Sequence, residues 1–135
     1  MLLALAVSVN QKHTLTIKSL SALATQKGAS EAEVNEIHAL VSLLNANNIY
    51  YRFRHFVDKE YYNTTPAGIR MSIMMNPVLG KEFFELASLT VSAINGCEMC
   101  VTSHELSVKN HGASEARILE AIRLTSIFKS LIVLL

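Results

Sequence analysis

Two cysteines stand three residues apart in Gly96-Cys97-Glu98-Met99-Cys100, and His104 follows one helical turn later. They are the only cysteines of the chain. A structural disulfide stabilises most when it closes a long loop, and this pair closes almost none. In a reducing compartment such spacing points to redox or metal chemistry instead. Residues three, four and seven apart share one face of a helix, so Cys97, Cys100 and His104 line up if the segment is helical. In the first turn of that helix, free N–H groups and the helix dipole favour a thiolate. An imidazole one turn further on is placed to take or return its proton.

Glu85 belongs with this group. It lies 11 residues before Gly96, and His104 lies 8 after it. At about 1.5 Å per residue the two stand roughly 16 and 12 Å from the turn. Two helices folded back on one another at Gly96 would bring them to similar heights, where a carboxylate can orient an imidazole and stabilise its charged form. Other readings compete. Two cysteines and a histidine could hold zinc, with Glu85 or His111 as fourth ligand. The thiols could be purely structural, Glu85 an ordinary first-turn carboxylate and His104 a satisfied core histidine. A c-type haem needs histidine directly after the second cysteine, and that residue is Val101. The joint placement of all four residues favours the redox reading.

The elements that must position these residues are helical. Periodic apolar residues predict helices over about Leu2–Val9 and Thr14–Gln26, the second stopping at Lys27-Gly28. Ser30 with Glu33 makes a capping box for a third helix, expected to reach about Ala46. Residues 47–63 form an aromatic-rich helix or connector, and residues 66–77 a short helix and loop. A fifth helix is expected over about Lys81–Ile94, a sixth from Cys97 to His111-Gly112, and a last one capped by Ser114. Met71, Ile73, Met74 and Met75 read as core filler, and the stretch from Asn48 to Phe56 as a packing or subunit-contact segment.

Gly28-Ala29-Ser30-Glu31-Ala32 reappears 84 positions later as Gly112-Ala113-Ser114-Glu115-Ala116. Val7-Ser8 matches Val91-Ser92 at the same offset, and Glu36 matches Glu120. The chain therefore reads as one all-α domain over 1–135: a helical unit at about 2–46, a connector at about 47–80, and a second copy at about 81–135. In the first copy His13, Thr16 and Leu20 stand where the second has Cys97, Cys100 and His104. Only the second copy carries the reactive set.

Composition narrows the function classes. Half the residues are hydrophobic and 17% are charged, an apolar balance that suggests a buried subunit interface. The net charge of +1 offers no footprint for nucleic acid or an anionic membrane. The apolar start Met1–Val7 lacks a basic lead and ends at Asn10-Gln11-Lys12, and Ser130–Leu135 is too short to span a bilayer. A cytoplasmic protein with no membrane partner is expected. No glycine-rich nucleotide loop is present, and a dithiol–disulfide cycle needs no bound flavin, nicotinamide or metal.

The sequence resembles the AhpD family of alkyl hydroperoxide reductase proteins, within the carboxymuconolactone decarboxylase-like superfamily. The segment Asn47-Asn48-Ile49-Tyr50-Tyr51-Arg52-Phe53-Arg54-His55 matches that family's NNxxYRxRH motif. Pro66-Ala67-Gly68-Ile69-Arg70-Met71 is similar to its PAGLRM segment. Phe84-Glu85-Leu86, Val91 to Cys97, Cys100 and Ser103-His104-Glu105 follow its active-site stretch. The resemblance covers essentially the whole chain. It implies an all-α bundle built from a duplicated helical unit and assembled as a homotrimer. It implies a lipoyl-dependent peroxidase and adaptor: dihydrolipoyl groups on the acyltransferase of a 2-oxoacid dehydrogenase complex reduce the cysteine pair, which passes electrons to an AhpC-type peroxiredoxin or reduces hydroperoxides itself. By position, Cys100 is then the sulfenic-acid-forming cysteine, Cys97 its disulfide-forming partner, and Glu85 and His104 the proton relay. Two departures stand out. Met99 replaces a histidine common between the cysteines, and the chain begins inside the first repeat helix, without the helical arm that precedes it in relatives. A non-catalytic or metal-binding module of the same fold is the alternative. A decarboxylase on this fold would leave both cysteines without a role.

Overall fold

The computed structural model describes all 135 residues and is helical throughout, with no strand. Its elements are α1 (Leu2–Asn10), α2 (Thr14–Gln26), α3 (Glu31–Val57), α4 (Glu60–Thr64), a single 3₁₀ turn (Ser72–Met74), α5 (Lys81–Asn95), α6 (Glu98–Asn110) and α7 (Glu115–Ile132). No helix is long and apolar enough to cross a membrane.

The sequence repeat is mirrored in the backbone. Helix α2 and helix α6 begin and end 84 positions apart, and α3 and α7 begin 84 positions apart. The chain folds the same way at the joints. The N–H of His13 donates to the Ser8 carbonyl, and that of Cys97 to the Ser92 carbonyl. Gly28 and Gly112 hold left-handed φ of 100° and 102°. Ser30 and Ser114 each cap the next helix by accepting an amide three residues on.

Helix α5 is the centre of the molecule. Every residue from Phe84 to Ser92 is buried. One side, with Phe84, Ala87 and Val91, packs against Leu5 and Ala6 of α1 and Ile37, Leu40, Val41 and Leu44 of α3. The other side, with Leu86 and Leu89, packs against Val108 of α6 and Ile118 and Ala121 of α7. A helix buried on nearly all sides has little room for charge. Glu85, 7% exposed, is the exception within this stretch, so its partner matters.

The third helix corrects the expectation of an end near Ala46: it runs on to Val57. Asn45, Asn47 and Asn48 have weak helical propensity and resemble a stop signal. Here tertiary hydrogen bonds override that preference. Asn48 Nδ2 donates to Ser92 Oγ at 2.9 Å, and Asn48 Oδ1 accepts from Asn95 Nδ2 at 2.9 Å. Asn45 reaches Asn10 on α1 at 2.8 Å. Between α4 and α5 only the 3₁₀ turn forms, and Glu36 on α3 anchors the chain just after it by accepting the N–H groups of Val78 and Leu79 at 2.8 and 2.7 Å.

Candidate active site

The turn between α5 and α6 sets the site. Gly96 closes α5 with φ of 68°, a left-handed conformation that glycine adopts without Cβ strain. Cys97 then takes an extended conformation as the N-cap of α6, so the helix proper starts at Glu98, one residue later than expected. The Cys97 sulfur accepts the Cys100 N–H at 3.3 Å. The equivalent place in the first half is filled by His13, whose Nδ1 accepts the Thr16 N–H at 3.4 Å.

Cys97 and Cys100 are joined in a disulfide, with Cα atoms 5.3 Å apart. Cys97 is fully buried and Cys100 nearly so, at 7% exposed. One turn on, His104 is also buried. Its Nδ1 lies 2.7 Å from Glu85 Oε2, the fold-back contact expected from the spacing. Burial works to raise the Glu85 carboxyl. The hydrogen bond and charge of His104, with the Ser107 hydroxyl and the charge of His111, outweigh it, and Glu85 lies below its ordinary value. A carboxylate accepting from Nδ1 fixes the ring tautomer and leaves Nε2 with its lone pair.

Cys100 and His104 share the wall of a cavity of ≈ 290 Å³ with Met99 and Ser103 from the same helix. Asn47 and Tyr51, one turn apart on α3, line the facing wall, together with Met71 and Met74 from the α4–α5 connection. Thus the structure brings the four expected residues into one constellation: two bonded sulfurs, an imidazole on the cavity, and a carboxylate behind it. Sequence reasoning missed the other walls. Met71 and Met74 are not merely filler, because they form the apolar part of this cavity. Met75 is 67% exposed and fills no core at all. The four-residue spacing of Asn47 and Tyr51 placed them on one helix face, but only the packing of α3 against α6 reveals what that face looks at.

Two helices, α1 and α3, brace the turn between α5 and α6. Asn95 donates to Asn48 and accepts from Asn10 at 2.9 Å, and its carbonyl accepts from Arg52 Nη1 at 2.7 Å. At the outer end of the turn His55 Nε2 stands 3.4 Å from Glu98. No group of three or more His, Cys, Asp or Glu side chains is arranged to hold a metal ion. His111, the alternative zinc ligand, has its Nδ1 against the Ser107 carbonyl at 2.8 Å.

The chain matches known proteins in the same region. The carboxymuconolactone decarboxylase family pattern matches residues 62–130, which span α5, α6 and nearly all of α7. A protein named alkyl hydroperoxide reductase AhpD from Hyphomonas neptunium is 41% identical over 112 residues, covering 83% of this chain and 62% of the relative. The protein of the same name from Azorhizobium caulinodans is 44% identical over 101 residues, 75% of this chain and 56% of the relative. That from Rhodopseudomonas palustris is 38% identical over 131 residues, 97% of this chain and 72% of the relative. The chain spans between about half and three quarters of the length of these curated relatives. On the pattern, the identities and the all-helical architecture together, the chain belongs to the carboxymuconolactone decarboxylase family, among its AhpD-type alkyl hydroperoxide reductase relatives.

Proposed function

We propose that this protein is a thiol-dependent hydroperoxide reductase and dithiol adaptor working through Cys97 and Cys100. The observation that carries the reading is the buried Glu85–His104 pair standing behind a cavity whose wall includes Cys100. In the reduced state, His104 takes the Cys100 proton. The Cys100 thiolate attacks the terminal oxygen of a hydroperoxide, forming the S–O bond and breaking O–O. The alkoxide leaves as alcohol by accepting the proton from His104. The Cys97 thiol then attacks the sulfenic acid, releasing water and closing the disulfide. A dithiol reopens it by exchange and is itself oxidised to a disulfide.

The reductant in this reading is a dihydrolipoyl group on the acyltransferase of a 2-oxoacid dehydrogenase complex. The electron acceptor besides hydroperoxide is an AhpC-type peroxiredoxin. The working form is a homotrimer of the cytoplasm. No bound cofactor is required, since both electrons reside on sulfur. The chain's AhpD-named relatives and its apolar surface support these assignments. Leu119, Leu124, Ile127 and Leu131 of α7 are exposed, and a subunit contact would cover them.

The test is a coupled assay with dihydrolipoamide and an organic hydroperoxide, run with and without a peroxiredoxin. Peroxide consumption that depends on both cysteines supports the reading. Absence of consumption and of dihydrolipoamide oxidation under either condition overturns it.

A further inference from the structure

Three of the chain's five methionines, Met71, Met74 and Met99, line the same cavity as Cys100 and His104. The other two, Met1 and Met75, lie outside it and are more exposed, at 48% and 67%. Met99 is 42% exposed, whereas Met71 and Met74 are partly buried. The Met71 sulfur already accepts the Asn47 amide at 3.7 Å. Met99 adjoins Cys100 in the chain and also borders an open groove with Thr102 and Leu106, so it lies at the boundary between cavity and surface. In the disulfide state of this structure Cys100 has no thiolate to offer. A hydroperoxide that enters the cavity then meets thioether sulfur as its oxidisable partner. The remaining side chains on the wall carry a carboxamide (Asn47), hydroxyls (Tyr51 and Ser103) and an imidazole (His104), none of which takes oxygen from a peroxide as readily as a thioether does without a metal.

We infer that Met99 is an oxidation site of the disulfide form, converted to its sulfoxide by the hydroperoxide that the cavity accepts, and that this conversion slows the protein when hydroperoxide outruns the reductant. The inference rests on the proposed peroxidase reading and adds a regulation of the same site. The thioether sulfur attacks the terminal oxygen of the hydroperoxide, forming the S–O bond and breaking O–O. The hydroxyl hydrogen passes to the alkoxy oxygen, which leaves as alcohol. Two electrons move from sulfur to the peroxide, so no other oxidant takes part. A flexible apolar wall thereby becomes polar. While dithiol is plentiful, Cys100 is available as a thiolate, the stronger nucleophile, and takes the oxygen first. Once the disulfide accumulates, the oxygen goes to Met99. Dithiol reopens the disulfide but leaves the sulfoxide, whose reversal belongs to a separate reductase.

The experiment treats the wild-type disulfide form with cumene hydroperoxide and follows the sulfoxide at each methionine by peptide mass spectrometry. Met99 should oxidise about tenfold faster than Met75 or more, a small part of the advantage that holding two reactants together can supply. Exposure alone gives the opposite order. In urea the two should oxidise at the same rate. Cumyl alcohol, which has the same shape but no peroxide bond, should protect Met99 in the folded protein and leave the Met75 rate unchanged. After dithiothreitol reopens the disulfide, the lost turnover should track the Met99 sulfoxide. Met99→Leu, scaled to its own untreated rate, should escape that loss. A Met75 rate equal to or above the Met99 rate in the folded protein, or full turnover with Met99 oxidised, would overturn the inference; the peroxidase reading stands if the reduced protein still consumes hydroperoxide through its cysteines. Reduced protein that consumes no hydroperoxide would overturn both.

Discussion

His104 Nδ1 and Glu85 Oε2 lie 2.7 Å apart, although 19 residues and a reversal of chain direction separate them. The contact forms because Gly96 turns the chain at one place, and because the burial of α5 leaves the Glu85 carboxylate to partners on α6 rather than to water. Replacing His104 with Phe should keep the packing of α6 while removing the proton acceptor. Hydroperoxide turnover should drop by about 10²-fold or more, the range for lost general acid–base catalysis. The alkylation profile of Cys100 should move to higher pH. An unchanged profile would remove His104 from the proton path.

The two sulfurs are predicted to differ in role. Cys100→Ser should abolish hydroperoxide consumption. Cys97→Ser should consume about one equivalent and stop at the sulfenic acid, which a cyclic 1,3-dione traps. Mass spectrometry of the trapped adduct decides the matter; an adduct on Cys97 in the Cys100→Ser protein would reverse the assignment.

Acid should expose the Glu85 interaction. Folding lowers this carboxyl below its ordinary value of 4.5. A lowered carboxyl stabilises the fold above its unfolded pKa, and that contribution vanishes as pH falls through the folded value. Urea midpoints of wild type should therefore approach those of Glu85→Gln as the solution is acidified from about pH 6 to about pH 3. A constant gap between the two proteins over that window would contradict the lowered carboxyl.

The brace behind the redox turn can be tested through Asn48. Asn48→Ala removes partners from buried Ser92 and from Asn95 together. The cost should be about 2–6 kcal/mol in urea unfolding, at about one to three for each group left unpaired. By contrast Gly96→Ala meets no atom within 4 Å, so its cost is conformational only, about 1–2 kcal/mol for a left-handed residue. Asn48→Ala should also slow the disulfide exchange more than Gly96→Ala at matched stability, because it frees Asn95 beside the turn.

How much of this was legible in the residues depends on the range of the contact. The helix starts at Thr14 and Glu115, and the stop at Gly28, rest on local caps and turns, which sequence spells out directly. The Glu85–His104 pair was legible because a glycine turn makes the two helix positions commensurate. The course of α3 beyond Ala46 was not, since Asn48 owes its helical state to hydrogen bonds with α5 rather than to neighbours in the chain. The cavity was hidden for the same reason. Asn47, Tyr51, Met71 and Met74 come from two separate segments, and no periodicity within either says that they face Cys100.

The paired stations of His13 and Cys97 carry a consequence for how the disulfide can cycle. Each begins a helix by offering an electron pair to an amide three residues ahead, nitrogen in one half and sulfur in the other. Starting a helix asks for a lone pair and is indifferent to which element supplies it. Sulfur keeps such a pair whether bonded to a second sulfur or carrying a proton or a negative charge. In the proposed dithiol cycle electrons would thus enter and leave at Cys97 while the architecture beneath it stands still, with no rearranging hinge needed.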